Sequence, residues 1–228
     1  MSLEEKQLGR YRMLKLIGRG GTGEVYLADD EQVSRQVAAK VVQIGEVWES
    51  ESVTNPLRRF LREATTIAKL DHPNILSLYD YGEEEVDHAH FAYLITPYRP
   101  EGSLVNWLSK RLQKQGIEAP KLTLKQVVHL IQQAGKALQY AHDQQIIHQD
   151  VKPGNFLIRS ESDNDEYPDL LLADFGIALL MSATTNTSQN VCGTPTYMAP
   201  EQWAGKPVFA SDQYALAVMA YELLTGAP

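Results

Sequence analysis

The apolar residues of this chain change their spacing near residue 100, and that change limits the folds open to it more than any other feature. From Tyr11 to Val42, short runs rich in Val, Tyr, Leu and Ile are broken by "GRGGTG" and "DDEQVSRQ", the pattern of antiparallel strands joined by turns. A helix interrupts them at "TNPLRRFLREATTIAKL", where Asn55 can cap, Pro56 suits the first helical position, and Leu57, Phe60, Leu61, Ala64, Ile67 and Ala68 follow helical spacing. "ILSLYDYG" and "HFAYLITPY" read as two more strands separated by the polar "EEEVDHA", so the sequence predicts five strands and one helix up to Tyr98. After Pro100 the period becomes helical in "SLVNWLSKRL" and in "LTLKQVVHLIQQAGKALQYAH", with Thr123 a cap for the second. "NFLIR" and "DLLLADFG" predict a hairpin around "SESDNDEYP", and "SDQYALAVMAYELLTG" predicts an apolar helix that Ser211 caps and Gly226 ends. The fold class is therefore α+β, strand-rich over residues 1–98 and mainly helical over 99–228.

With 228 residues, 43% of them hydrophobic, the chain can form one substantial domain or two small lobes. A formal net charge of −8 gives little support to a nucleic-acid footprint, which needs clustered Lys and Arg in excess. The single cysteine, Cys192, cannot form an internal disulfide and reads as a small buried hydrophobe before a redox sensor; "MSLEEKQLGRYR" lacks the apolar centre of a signal peptide. A reducing cytoplasm is the expected compartment. "YALAVMAYELL" is too short to span a bilayer and carries Glu222, so no membrane segment is expected within these residues; a tether beyond residue 228 and dimerisation both stay open. The acidic "SESDNDEYP" lacks the Gly and terminal Glu of a calcium loop and reads as a solvated turn.

Chemistry-bearing residues gather in a few places. "GRGGTGEV" spaces Gly18, Gly20 and Gly23 as G-x-G-x-x-G with Val25 two residues on, inside strand-like sequence where each glycine costs about 0.5–1 kcal/mol against alanine. A loop that lets backbone approach phosphate needs that, and so does a flexible hairpin. A Walker loop would require Lys-Ser/Thr where Glu24 and Val25 stand, and a dinucleotide fingerprint would open a helix where this sequence continues as strand. Lys40 ends the apolar strand "VAAK" and, if buried, needs a carboxylate; Glu63 is the candidate, against a reading in which Lys40 lies at a solvent edge and Glu63 joins surface charges with Arg59 and Arg62. "IIHQDVKPGNFLI" crowds Asp150, Lys152 and Asn155 between apolar runs, and Asp174 begins "DFG" after the next strand. Two carboxylates and an amide oxygen are hard ligands and proton acceptors, and two lysines can neutralise phosphate oxygens, as phosphoryl transfer requires.

These motifs stand in one order, G-x-G-x-x-G-x-V, V-A-x-K, the helix Glu, H-x-D-x-K-x-x-x-N, D-F-G and A-P-E, and by them the sequence closely resembles the eukaryotic-type (Hanks-type) Ser/Thr protein kinases from Tyr11 to Pro228. "DVKPGNFLI" and "GTPTYMAPEQW" are most similar to bacterial members. The resemblance implies a bilobal protein kinase fold and protein Ser/Thr hydroxyls as substrates. Gly18, Gly20 and Gly23 would fold over the ATP phosphates, Lys40 would hold the α and β phosphates while paired to Glu63, and Asn155 and Asp174 would hold Mg2+, with Mn2+ the alternative ion. Asp150 would orient the hydroxyl and accept its proton, Lys152 would neutralise the transferred phosphoryl, and Thr194 would bridge the two. Ile17, Val25, Ala38 and Leu157 would sandwich the adenine, with the backbone of Pro97 and Arg99 reading its edge and Thr96 as gatekeeper.

The sequence departs from that family in two places. Gln149 stands where an arginine that clamps an activation-loop phosphate is usual, Asn190 where that phosphate is carried, and Leu179 where a further basic contributor is found. This predicts a non-RD enzyme whose activity does not depend on that phosphate, although Thr184, Thr185, Thr187 and Ser188 could still be modified. The family domain also continues past the helix holding Asp212, so Glu201 is expected to lack its usual Arg partner and the apolar face of residues 214–224 to be exposed. The alternative function is a pseudokinase scaffold that binds nucleotide or partner proteins without transfer.

Overall fold

A computed structural model of the chain describes residues 2–20, 23–44, 56–115, 122–159, 167–175 and 194–227. Two compact units emerge: one holds Met1–Leu70 and Ser77–Tyr98, the other Asp71–Leu76, Arg99–Gly176 and Gln189–Pro228.

The first unit is built on one antiparallel sheet. Its strands are β1 (Gln7–Leu8), β2 (Tyr11–Gly20), β3 (Gly23–Asp30), β4 (Arg35–Ile44), β5 (Asp80–Val86) and β6 (Ala89–Pro97), in the order β1-β2-β3-β4-β6-β5, with helix α1 (Pro56–Ile67) after β4. Alternation along the strands puts Tyr26, Ala28, Val37, Ala39, Val41, Phe91, Tyr93 and Ile95 on one buried face, closed by Leu3, Leu8, Tyr11 and Met13. On the other face Leu57, Phe60 and Ala64 of α1 pack against Ala92 and Leu94, each large side chain contributing about 1.5–3 kcal/mol by leaving water. Residues directly opposite each other share a face, and the register pairs Val25 with Lys40, Lys40 with Leu94, and Ala38 with Thr96. Val25, Ala38, Lys40 and Thr96 therefore lie on the α1 side of the sheet.

The sheet differs from the expected five strands in two respects. Gln7–Leu8 adds a short strand whose Leu8 is fully buried. "ILSLYDYG" is not a strand as a whole: β5 begins at Asp80 and runs through the glutamates, at the sheet edge where one side of the ladder faces water. It turns into β6 through Asp87 and His88, both with positive φ, as a two-residue hairpin demands. Residues 74–76 instead join the second unit, where Leu172 N–H donates to Asn74 O at 2.8 Å and Leu76 N–H donates to Leu172 O at 2.9 Å.

The second unit comprises α2 (Leu104–Gln115), α3 (Leu124–Asp143), the hairpin β7 (Phe156–Ile158) and β8 (Leu170–Leu172), α4 (Pro200–Trp203) and α5 (Phe209–Thr225). Thr123 caps α3 in a capping box with Gln126, and Val127, Leu130, Ala134, Ala137, Leu138 and Ala141 form its buried stripe. In α5 the expected cap is displaced: Val208 is the N-cap and Ser211 lies inside the first turn, where its Oγ accepts from Val208 N–H at 3.1 Å. Gly226 ends α5 at φ 84. Ala215, Met219 and Leu223 of α5 are buried, while Tyr214, Tyr221 and Leu224 are exposed. Among the described residues no helix is long and apolar enough to cross a membrane.

Candidate active site

The loop between α3 and β7 folds around a carboxylate. Asp150 Oδ2 accepts from Lys152 Nζ at 2.8 Å and from Asn155 Nδ2 at 2.9 Å, and Oδ1 accepts from Thr194 N–H at 3.1 Å and Thr194 Oγ1 at 3.2 Å. Lys152 Nζ also donates to Thr194 Oγ1 at 2.6 Å, so the threonine hydroxyl bridges the acid and the base. Burial pushes the Asp150 carboxyl up, but the hydrogen bond and charge of Lys152, then the Asn155 amide, outweigh it and hold the group below its ordinary value. Asp150 is therefore ionised at neutral pH. Lys152 has three N–H donors and spends two on Asp150 and Thr194, leaving one for an incoming anion.

Local sequence explains why the loop takes this shape. Pro153 starts a turn of 3-10 helix over Pro153–Asn155 that carries Asn155 back toward Asp150, and Asn155 Nδ2 gives its other N–H to the Asp150 carbonyl at 2.7 Å. With both amide hydrogens committed, the amide oxygen of Asn155 remains as an acceptor. Asp174, an exposed carboxylate at φ 63, follows Ala173, whose N–H donates to Asn155 O at 2.8 Å. A carboxylate and an amide oxygen are the hard donors that Mg2+ accepts, so these residues fit the ion.

Beneath the loop lies a buried acid that sequence reasoning left out of the site. Asp212, 1% exposed in the first turn of α5, accepts from His148 N–H, Gln149 N–H and His142 Nε2, each at 2.8 Å. His148 is fully buried: its Nε2 donates to Ala173 O at 2.9 Å, its Nδ1 accepts from Asp150 N–H at 3.2 Å, and its ring lies 4.9 Å from that of Phe175. Between these anchors Gln149 sits at φ 68, a left-handed conformation that costs a residue of this size about 1–2 kcal/mol. The only sequence signal for Asp212 was a charge in the first turn of a strongly apolar helix.

Glu201 also acquires a partner that the sequence did not indicate. Ser211 Oγ donates to Glu201 Oε1 at 2.5 Å, and that bond lowers the Glu201 carboxyl from its ordinary value. Nearby, Tyr197 donates to Glu222 Oε2 at 2.6 Å, and burial with this carboxylate pushes the phenol well above its usual value. Leu179, Thr184, Thr185, Thr187, Ser188, Asn190 and Cys192 lie outside the described residues.

The first unit places the remaining candidates. Lys40 is 8% exposed on β4, Glu63 is half-buried on α1, and Ile17 stands 42% exposed at a register shift between Leu16 and Gly18. Thr96 and Pro97 are paired with Ala38 and Val37, and Pro97 ends β6. The three glycines differ in what the fold asks of them. At Gly23, φ is +118 and an added Cβ would run into the Val41 carbonyl oxygen on β4, so the fold itself requires glycine. Gly18 would meet only ordinary contacts and Gly20 nothing within 4 Å, so the fold alone does not demand them. Leu157, on β7, and Arg99, whose guanidinium donates to Arg159 O at 3.3 Å, belong to the second unit.

Comparison with known proteins gives one consistent answer. The model of the protein kinase domain family matches residues 11–228. Among curated proteins the chain is 38% identical over 228 residues to serine/threonine-protein kinase PrkC of Bacillus subtilis, covering 99% of this chain and 32% of that protein. It is 39% identical over 225 residues to serine/threonine-protein kinase PknA of Mycobacterium tuberculosis, covering 96% and 47%. The chain thus spans a third to a half of the length of these relatives. Among solved structures, the PknI kinase domain of Mycobacterium tuberculosis matches with a TM-score of 0.70 at 30% identity, covering 98% of this chain and 77% of that one. This chain belongs to the protein kinase domain family, and within it is similar to the Ser/Thr kinases of bacteria.

Proposed function

We propose that this chain transfers the γ-phosphoryl group of ATP to serine and threonine hydroxyls of proteins. The carrying observation is the closed set of hydrogen bonds among Asp150, Lys152, Asn155 and Thr194. Asp150 accepts a hydrogen bond from the substrate hydroxyl and takes its proton. A carboxylate held below its ordinary value is a weak base, so it contributes mostly orientation, with proton transfer late; this suits a transition state in which the phosphoryl group is only loosely bonded to either oxygen. Lys152 directs its remaining N–H at the transferred phosphoryl, where a preorganised cation gains strength as charge develops.

In the first unit Lys40 holds the α and β phosphates with Glu63 as its partner, and the open space over Gly20 lets its backbone approach phosphate oxygens. Ile17, Val25 and Ala38 give the adenine its apolar contacts, and the backbone of Pro97 reads its edge. Pro97 lacks an N–H but is asked only for its carbonyl. Asn155 and Asp174 hold Mg2+, which supplies charge neutralisation on the phosphates when bound. The uncharged Gln149 makes this a non-RD enzyme whose activity is independent of a phosphate on the activation loop.

Magnesium-dependent transfer of labelled phosphate from ATP to a generic basic Ser/Thr substrate tests this reading. Wild type should transfer, and Lys40→Ala and Asp150→Asn should lose at least about a hundredfold in kcat/KM. A wild type that binds ATP but transfers nothing would establish the scaffold alternative. Phosphatase treatment should leave activity intact; its abolition would refute the non-RD part alone.

A further inference from the structure

We propose that Gln202 is a positioning residue that sets the orientation of Asp150 through the backbone of Gln149; the inference rests on the phosphoryl-transfer reading above. Gln202 lies on α4, directly after the A-P-E segment, and is 5% exposed. Its amide is divided between two backbones: Oε1 accepts from Ala199 N–H at 3.1 Å, and Nε2 donates to the Gln149 carbonyl at 3.0 Å. The two acceptor–donor demands are opposite in sense, so only a carboxamide satisfies both.

The consequence lies in the two peptide groups that flank Gln149. The first has its N–H, that of Gln149, held by Asp212 Oδ1 at 2.8 Å. The second, joining Gln149 to Asp150, is held at both ends, its carbonyl by Gln202 and its N–H by His148 Nδ1 at 3.2 Å. Gln149 thus stays at φ 68 because both adjoining planes are fixed from outside. Without the Gln202 donor, the part-buried carbonyl loses its partner and the second plane can rotate to relieve the left-handed residue. That rotation carries the Asp150 Cα, and with it the carboxylate, away from Lys152, Asn155 and Thr194.

The stretch from Thr194 to Gln202 therefore grips Asp150 twice, at its carboxylate through Thr194 and at its backbone through Gln202. Both grips use neutral donors. This segment provides a route from its own placement to the catalytic acid that needs no charge at position 149.

The test is steady-state kinetics on the 228-residue chain for wild type, Gln202→Glu, Gln202→Met and Gln202→Met/Gln149→Gly, with thermal unfolding of each. Gln202→Glu keeps the shape and the bond from Ala199 but sets a carboxylate oxygen against the Gln149 carbonyl; Gln202→Met keeps the bulk and loses both bonds. Both should lower kcat on the order of 10- to 100-fold, with KM for ATP within about twofold, since a displacement of about 1 Å at a reacting group costs that much. Glycine adopts the left-handed conformation freely, so Gln149→Gly in the Gln202→Met background should recover at least about fivefold of the lost kcat. A filler of space would lose stability without that kcat-specific loss and would not respond to glycine. Unchanged kcat in either folded single variant, or no recovery in the double variant, overturns the proposal while leaving phosphoryl transfer intact. An inactive wild type overturns both.

Discussion

Replacing Asp212 by asparagine should be among the most damaging single-atom changes in this protein. The carboxylate is 1% exposed and accepts three hydrogen bonds, two on Oδ2 from His142 and His148 and one on Oδ1 from Gln149. Asparagine keeps one acceptor oxygen. Its best orientation turns that oxygen to His142 and His148 and its NH2 toward the Gln149 N–H, leaving a buried donor facing a donor. An orphaned buried N–H costs about 1–3 kcal/mol, and two charge-assisted bonds that become neutral lose about 1 kcal/mol each, so the total is about 3–5 kcal/mol. For a chain of this size 1 kcal/mol moves Tm by about 2–4 °C, which predicts a fall of about 10 °C by calorimetry. Activity should fall in the molecules that remain folded, because the orphaned N–H belongs to the residue before Asp150. A Tm within about 2 °C of wild type would refute the reasoning, since it would mean that the three bonds are replaceable by water or by a shift of the helix.

Three further outcomes follow from particular contacts. Gly23→Ala should destabilise the chain by at least about 2 kcal/mol, because of its positive φ and the Val41 carbonyl, whereas Gly20→Ala should leave Tm within about 1 °C and raise KM for ATP; equal Tm losses would contradict this. The Asp150 carboxyl is held below its unfolded value of about 3.9, so its contribution to stability is present above that pH and is lost as pH falls through the folded value. Calorimetry between about pH 5 and 2.5 should therefore show a shallower decline of Tm for Asp150→Asn than for wild type, and parallel declines would refute it. Thr96→Met should block bulky ATP-site inhibitors, because Thr96 pairs with Ala38 on the face that carries Lys40; unchanged inhibition constants would count against that placement.

Where a residue's environment repeats with the period of its element, the sequence showed it. Thr123 followed three residues later by Gln126 marked the start of α3, and "NFLIR" and "DLLLADFG" marked a hairpin that buries Phe156, Ile158, Leu170 and Leu172 completely. The strand Asp80–Val86 was hidden because an edge strand with both sides partly in water has no alternation to read, so its glutamates imitated a loop. Leu8 was missed because two paired residues are too few to show a period. Val208 displaced Ser211 as cap because Ser211 has a second partner, Glu201, brought to it by a different helix. Of the site, the spacing within residues 148–155 was local and legible, whereas Asp212 reaches His148 and Gln149 across 63 or more positions of sequence. Nothing local distinguishes that aspartate from one that only favours a helix N-terminus.

Of the non-glycine residues at positive φ, Gln149 lies one residue before Asp150 and Asp174 carries the carboxylate that fits magnesium. They are linked through one side chain. His148 accepts a hydrogen bond from Asp150 N–H at Nδ1 and donates one from Nε2 to Ala173 O, and Ala173 immediately precedes Asp174. A neutral imidazole with its proton on Nε2 is the form that makes both bonds, so a doubly protonated ring would set a donor against the Asp150 N–H. Strain of this kind persists only where the surroundings over-determine it, and around Gln149 those surroundings are Asp212, Gln202 and His148. One buried histidine thus ties the backbone of Asp150 to the carbonyl that precedes Asp174, and one buried acid holds the N–H groups of His148 and Gln149, so the left-handed Gln149 is held on both sides by its backbone.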